Sequence, residues 1–242
     1  MKFDNIHIGI ISARRPDNVK KTVKFLGGLD HVWYVANGDK EKYENAGAVN
    51  VIESGRLCES RNAILNDAFN DNKICVELSD DLISLKQAYS KKDTTPVDTI
   101  KPFVEYMLEQ LDNSNLKLAG INPTANAFYF NPLSPIKTAH FIIGDLLVVK
   151  PTCLRFDEEF QTKEDYDYTL QHIQMYGGVI RCDNLLAKFN HYTNKGGVVD
   201  VRTPEVEKQS IERLKMKWGK CIVDNPKRVN EILLNHKLLN SY

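Results

Sequence analysis

The sequence predicts an α/β fold around a central, mostly parallel sheet. Short apolar runs alternate with amphipathic segments across short connections, and the runs stop at turn-forming or acidic residues. Residues 6–11 form the first apolar run, broken by Ser12-Ala13-Arg14-Arg15-Pro16-Asp17-Asn18, a loop that starts a helix. Val19, Val23 and Leu26 follow at helical spacing before Gly27-Gly28, and residues 31–36 give a second strand ending in Asn37-Gly38, which completes β-α-β. A third strand is expected at 49–52, then a turn at Gly55 and a helix over 57–69 with Leu57, Ile64, Leu65 and Ala68 on one face. The fourth strand, 73–78, stops at Ser79-Asp80-Asp81.

The second half starts with a polar loop at 90–98 and a helix over 100–111 that turns Phe103, Val104, Met107, Leu108 and Leu111 inward. Strands are expected at 116–121, 127–130 and 140–149, a helix at 165–176, and strands at 178–181 and 185–189. Beyond Gly196-Gly197 the tail reads as helical, over 204–218 and 226–239. At 242 residues the chain suits one domain, 1–242, with working parts at 1–85, 86–197 and a helical tail at 198–242.

Composition narrows the function classes. Hydrophobic residues at 42% and charged residues at 26% are those of a globular protein, so disorder is excluded. Lys plus Arg and Asp plus Glu are each 32, so no global positive field draws the chain onto nucleic acid, and any such contact needs a local patch. The start, MKFDNIHIGI, has no leader-like apolar core, and no run of about eighteen apolar residues occurs, which predicts a cytoplasmic protein with no membrane partner. Five scattered cysteines without a C-x-x-C pair read as reduced packing residues.

Asp80 and Asp81 directly follow a buried strand, so their carboxylates reach the sheet's carboxyl edge. A hard divalent cation could there bridge them to a diphosphate. The competing reading makes Asp80 the cap of a helix starting near Leu82. Two adjacent arginines, Arg14 and Arg15, leave the first strand either towards a nucleotide or as a solvated loop. Glu164, Asp165 and Asp167 open a helix, where the N-terminal dipole stabilises carboxylates whatever else they do.

The turn and helix start Gly55-Arg56-Leu57-Cys58-Glu59-Ser60-Arg61-Asn62, followed by a strand ending in an acidic pair, is similar to the donor half of GT-A glycosyltransferases, Rossmann-like enzymes that use nucleotide-diphospho-sugars. The resemblance implies a Mn2+ or Mg2+ cofactor and makes Asp81 the metal ligand of the family's DxD motif, here without its spacer, with Asp80 beside it. It further implies that Ser12, Arg14, Arg15, Arg56, Arg61 and Asp80 bind the nucleotide sugar. Phe156-Asp157-Glu158-Glu159-Phe160 followed by Glu164-Asp165-Tyr166-Asp167 is similar to the family's xED motif, which makes Asp165 the general base and Asp167 its reserve. In chain order His191 resembles the family's late metal-binding histidine, and Lys195 before Gly196-Gly197 would close over the diphosphate.

These phrases, with Gly120 to Asn126, Phe141 to Leu146 and His191 to Gly197, together resemble the TET/JBP-associated glycosyltransferases, a group that includes the base J glucosyltransferase and bacteriophage enzymes acting on DNA. That resemblance implies a UDP-sugar donor and DNA carrying 5-hydroxymethylcytosine or 5-hydroxymethyluracil as partner, in a host cytoplasm if the chain is of phage origin. Asn122, Asn126, Gly144 and Asp145 would line the acceptor pocket. Lys208, Arg213, Lys215, Lys217 and Lys220 are the phosphate-binding candidates on the tail. A GT-A enzyme acting on a glycan or small-molecule hydroxyl is the alternative.

Overall fold

The computed structural model describes residues 3–190 and 196–239. Its strands and helices in chain order are β1 (Ile6–Ser12), α1 (Val19–Leu26), β2 (Val32–Val35), α2 (Lys40–Asn45), β3 (Val51–Glu53), α3 (Leu57–Asn70), β4 (Ile74–Ser79), β5 (Leu82–Ala88) and β6 (Thr94–Val97). These are followed by α4 (Lys101–Asp112), β7 (Leu118–Ile121), β8 (Ile136–Lys137), β9 (Leu146–Val149), α5 (Glu164–Tyr176), β10 (Ile180–Cys182), β11 (Leu185–Phe189), α6 (Pro204–Trp218), β12 (Ile222–Asp224) and β13 (Ile232–Leu234).

The main sheet has the order β3-β2-β1-β4-β9-β7-β10-β8. β1, β2, β3, β4, β7 and β10 run one way, and β9 and β8 run against them. The expected α/β fold with a mostly parallel sheet is therefore present. The strands alternate side chains between two apolar layers. On one face Ile8, Ile10, Trp33, Val76, Leu78 and Val148 pack against α1, α2 and α4, whose Phe103, Val104, Met107, Leu108 and Leu111 are all buried. On the other face Tyr34, Cys75, Leu147 and Val149 pack against α3, α5 and α6. Each such aliphatic or aromatic side chain contributes about 1.5–3 kcal/mol when fully buried. No helix among the described residues is long and apolar enough to cross a membrane.

The helix α1 ends where Gly27 takes φ 60°, the left-handed cap that glycine adopts without strain. Val23, expected inward, is 38% exposed, so Val19 and Leu26 carry that helix's contact.

Five expected elements differ. No helix starts at Leu82: β5 leaves the main sheet and pairs with β11 and β6 in a three-stranded sheet. The polar segment 90–98 holds β6, which the β5 backbone recruits across the turn. Residues 127–129 are a 3-10 turn because the Asn126 side chain accepts from the Phe128 amide. The strand expected from 140 starts at Leu146. Residues 226–239 form no α-helix, because Ile232–Leu234 pairs with Ile222–Asp224 as a hairpin and only a 3-10 turn at His236–Leu238 follows. The expected boundary at 85/86 falls inside β5, which joins the two halves.

Glycine permits the closest helix–sheet approach: a Cβ on Gly9 of β1 would overlap the fully buried Ile64 side chain of α3. We expect Gly9→Ala to cost about 1–3 kcal/mol through overpacking. A urea midpoint equal to that of the wild type would show that α3 can retreat freely.

Candidate functional site

A cavity of ≈ 690 Å³ opens where β1 and β4 end, the edge at which parallel sheets bind ligands and a size suited to a nucleotide-like molecule. Because β9 runs against its neighbours, its entry residues Gly144 and Asp145 reach the same edge, as does the first turn of α5. Residues of the 197–204 segment and of the β12–β13 hairpin wall the opposite side.

Asp80 and Asp81 form the two-residue passage from β4 into β5, and the structure separates their roles. Asp80 is fully buried. It accepts from Ser12 Oγ at 2.5 Å and Asn18 Nδ2 at 3.2 Å, and it faces Arg15 Nη2 at 2.5 Å. Its carbonyl accepts from Thr22 Oγ1 at 2.8 Å. Burial pushes the Asp80 carboxyl up to about 6, with Arg15 and Ser12 pulling it back. Asp80 thus anchors the loop after β1 and is not the cap of a helix. Asp81 lines the cavity, 3.6 Å from Arg15 Nη1.

Arg61 forms the floor. Its side chain is 4% exposed, with Nη1 donating to Glu77 at 2.6 Å, Nε and Nη2 to Glu164 at 3.2 and 3.1 Å, and Nη2 also to the Gly144 carbonyl at 2.9 Å. A Cβ on Gly144 would overlap this guanidinium. Desolvation works against the charge on Arg61, but Glu164 and Glu77 outweigh it and raise its pKa. The fork expected to meet a nucleotide is therefore spent on the protein's own carboxylates. Burial pushes Glu77 up to about 7 against the pull of Arg61.

Asp165 opens onto the cavity from the first turn of α5. It accepts from the Gly144 amide at 3.2 Å and from its neighbour Tyr166 at 3.0 Å. Burial, then the adjacent Glu164, push it up to about 7, while Arg61 opposes them. A carboxylate in this range is matched to accepting a proton near neutral pH.

Other expected residues divide. Ser12, Arg14, Arg15, Arg56 and Asp145 also line the cavity. Arg14 latches the 197–200 turn across its mouth, donating from Nε to Asp200 at 2.9 Å and from Nη2 to the Gly197 carbonyl at 2.9 Å. Arg56 caps α3 at the rim, where Glu59 holds it at 2.8 Å.

Asp167, the reserve base, does not line the cavity. Two helical positions take it to the other side of α5, where it accepts from Trp218 Nε1 at 2.7 Å, Lys217 Nζ at 2.8 Å and Gln171 Nε2 at 2.7 Å and fastens α6. Asn122 and Asn126 lie outside the cavity as well: Asn122 donates to the Asp183 carbonyl and accepts from the Thr124 amide, and Asn126 caps the 3-10 turn. On the tail Lys208, Arg213, Lys215 and Lys217 pair with Glu212, Asp157, Asp224 and Asp167, and of the five candidates Lys220 alone forms no ion pair among the described residues. His191 and Lys195 lie outside the described residues.

Glu77 and Glu164 were missed as site residues, yet Glu77 left a signal, a carboxylate inside the apolar run Ile74-Cys75-Val76-Glu77-Leu78. Nothing local marks the hairpin residues Val229–Ile232 as a cavity wall.

Among the described residues no three His, Cys, Asp or Glu side chains converge as a ready-made metal cage. The Asp81 carboxylate, a hard oxygen donor at the cavity, still fits Mg2+ or Mn2+ in the way such ions often bind, through one or two carboxylates plus phosphate oxygens of a ligand.

Removing Arg61 strands two buried carboxylates. We expect Arg61→Ala to lose about 3–5 kcal/mol. Arg61→Lys recovers only part, since an ammonium cannot reproduce the fork to Glu77, Glu164 and Gly144 together. Denaturant unfolding measures both, and a lysine variant as stable as the wild type would refute a geometric role. No family model and no curated protein matches the chain.

Proposed function

We propose that this protein is a GT-A glycosyltransferase that moves a sugar from a UDP-sugar to the hydroxymethyl group of a modified pyrimidine, 5-hydroxymethylcytosine or 5-hydroxymethyluracil, in DNA. The observation that carries the reading is that Asp81 and Asp165 open onto one cavity whose walls also hold Arg14, Arg15 and Arg56. Transfer needs one end of such a cavity to bind a diphosphate and the other to take a proton.

The guanidinium of Arg15, tied to Asp80 at 2.5 Å and near Asp81 at 3.6 Å, holds positive charge beside the place for the leaving diphosphate. A divalent cation bound at Asp81 would neutralise charge on that leaving group as a Lewis acid. Asp165 accepts the proton of the acceptor hydroxyl as its oxygen bonds to the anomeric carbon and the bond from that carbon to the phosphate oxygen breaks. The Gly144 amide, donating to Asp165 at 3.2 Å, fixes the carboxylate's orientation. Gly144 and Asp145, beside Asp165, form the acceptor side. The choice of acceptor is supported by the resemblance carried by the phrases at 120–126, 141–146 and 164–168.

The test is a panel of UDP-sugars with Mn2+ or Mg2+, with and without hydroxymethylated DNA, followed by UDP release and by the mass of the recovered nucleosides. A mass gain of one sugar on the hydroxymethylpyrimidine is expected. UDP release without it would move the acceptor to another hydroxyl, and no turnover with any sugar would reject the transferase reading.

Asp165→Asn should keep UDP binding and slow transfer by roughly 10²–10⁴-fold, the share of a positioned base, whereas Asp167→Asn should lower stability and leave the transferred fraction per folded molecule near that of the wild type. Asp81→Ala should remove the cation dependence of UDP binding, measured by calorimetry. The base must be ionised to work, so below its raised pKa the rate should rise about tenfold per pH unit and level off above about 7. A pH-independent rate between pH 5 and about 8 would exclude Asp165 as the base.

A further inference from the structure

Along β5 of the β11-β5-β6 sheet and the segment beside it, residues 82–92 and 113–144 contain no Asp or Glu, and the acids nearest in sequence to β6 are Asp93 and Asp98 at its two ends, in a chain where acids and bases are equal in number. Register places Lys86 opposite Leu186 and Lys188 opposite Ser84, so both lysines share one sheet face with Ala88. Phe130 packs onto that face at the Ala88–Leu186 end. This brings the turn at 127–129 beside the sheet, with Phe128 63% and Tyr129 68% exposed and set edge to face at 5.4 Å. Lys91 Nζ lies 5.3 Å from the Phe128 ring.

Phe128 and Tyr129 lie side by side and largely in water, an exposed apolar surface of the kind that marks interaction sites. Lys86, Lys91 and Lys188 form no ion pair with a carboxylate among the described residues, in contrast to Lys208, Lys215 and Lys217 on the tail, which are paired. Unpaired ammonium groups beside flat exposed rings match a polyanion with aromatic units, whereas a neutral glycan would engage the rings and leave the ammonium groups without a counter-charge. The face is also continuous with the site. β5 begins one residue after Asp81, and the Asn190 amide that ends β11 donates to the Asp81 carbonyl at 3.1 Å. Ala88 is seven residues on, roughly 23 Å at 3.3 Å per strand residue, a span of several nucleotides.

We propose that this sheet face and the Phe128–Tyr129 turn bind single-stranded polynucleotide, with the lysines contacting phosphates and the rings stacking on bases. This deepens, and as an acceptor platform rests on, the reading of a nucleic-acid acceptor given above, and it moves the nucleic-acid contact from the tail to the flank of β5.

The test is fluorescence anisotropy with labelled, unmodified single-stranded DNA and RNA oligonucleotides, read at several salt concentrations alongside UDP binding. The wild type should bind with a falling log–log salt dependence. Phe128→Ala/Tyr129→Ala should weaken binding at least about tenfold, the share of one or two stacked bases. Lys86→Ala/Lys188→Ala should reduce the magnitude of the salt slope by about 1.4, two phosphates at 0.7 each. Both variants alter exposed side chains and should melt like the wild type.

The proposal is overturned if the wild type ignores both oligonucleotides at low salt, if both double variants bind as the wild type does, or if Lys208→Ala/Lys215→Ala weakens binding as much. It is also overturned if sedimentation shows that the patch joins two copies and the aromatic variant only dissociates them. UDP binding separates the two readings: oligonucleotide binding lost with UDP binding intact removes the platform alone, and UDP binding absent from the wild type removes the transferase.

Discussion

Arg61 is the interaction on which the site depends. One guanidinium joins α3 to Glu77 in the middle of β4, to Glu164 at the start of α5 and to the Gly144 carbonyl at the entry to β9. Three elements distant in sequence are thereby held at one depth below the cavity. The cluster has two carboxylates for one cation, and Glu77 and Asp165 are both pushed upward, first by burial and then by the neighbouring Glu164 carboxylate, while Arg61 opposes the shift. A buried ion cluster is an unreliable source of net stability, since desolvation takes back much of the Coulomb gain. Its contribution here is register, because five N–H groups in a fixed plane accept few alternative arrangements.

The adjacent aspartates show how neighbouring identical side chains are given different work. A strand alternates its faces, and the chain turns out of the sheet at this point, so Asp80 points back into the loop that carries Ser12, Arg15 and Asn18 while Asp81 points to the cavity. Asp80 fixes Arg15, and Arg15 then lies beside Asp81. The same division recurs in α5, where Asp165 and Asp167 lie two positions apart, about 200° around the helix, with one turned to the cavity and the other to α6.

Much of the architecture was legible because apolar periodicity is a local property. β1, α1, β2, α3, β4, α4 and α5 were all found near their positions, and the carboxyl-edge location of Ser12, Arg15, Asp81 and Asp165 followed from their place after strands or at a helix start. What failed lay in strand pairing and in competition from backbone groups for polar side chains. β5 read as a helix start because its partner, β11, lies about a hundred residues away in the chain, and the hairpin β12–β13 read as a helix because its strands are three residues each, too short for a period. Asn122 and Asn126 were read as acceptor ligands, whereas backbone groups nearby claim their side chains.

The sequence by itself determined an α/β chain with a mostly parallel sheet, two helix-bearing faces and an acidic pair at a strand end, since these follow from side-chain period and turn chemistry within a few residues. Only the tertiary structure decided which carboxylates open onto the cavity, that Arg61 is consumed by Glu77 and Glu164, and that Lys208, Arg213, Lys215 and Lys217 on the tail are already matched by acids. Those outcomes turn on which charge lies within about 3 Å of which other, and pairs such as Arg61 and Glu164, or Lys217 and Asp157, meet across stretches of chain that no local pattern spans.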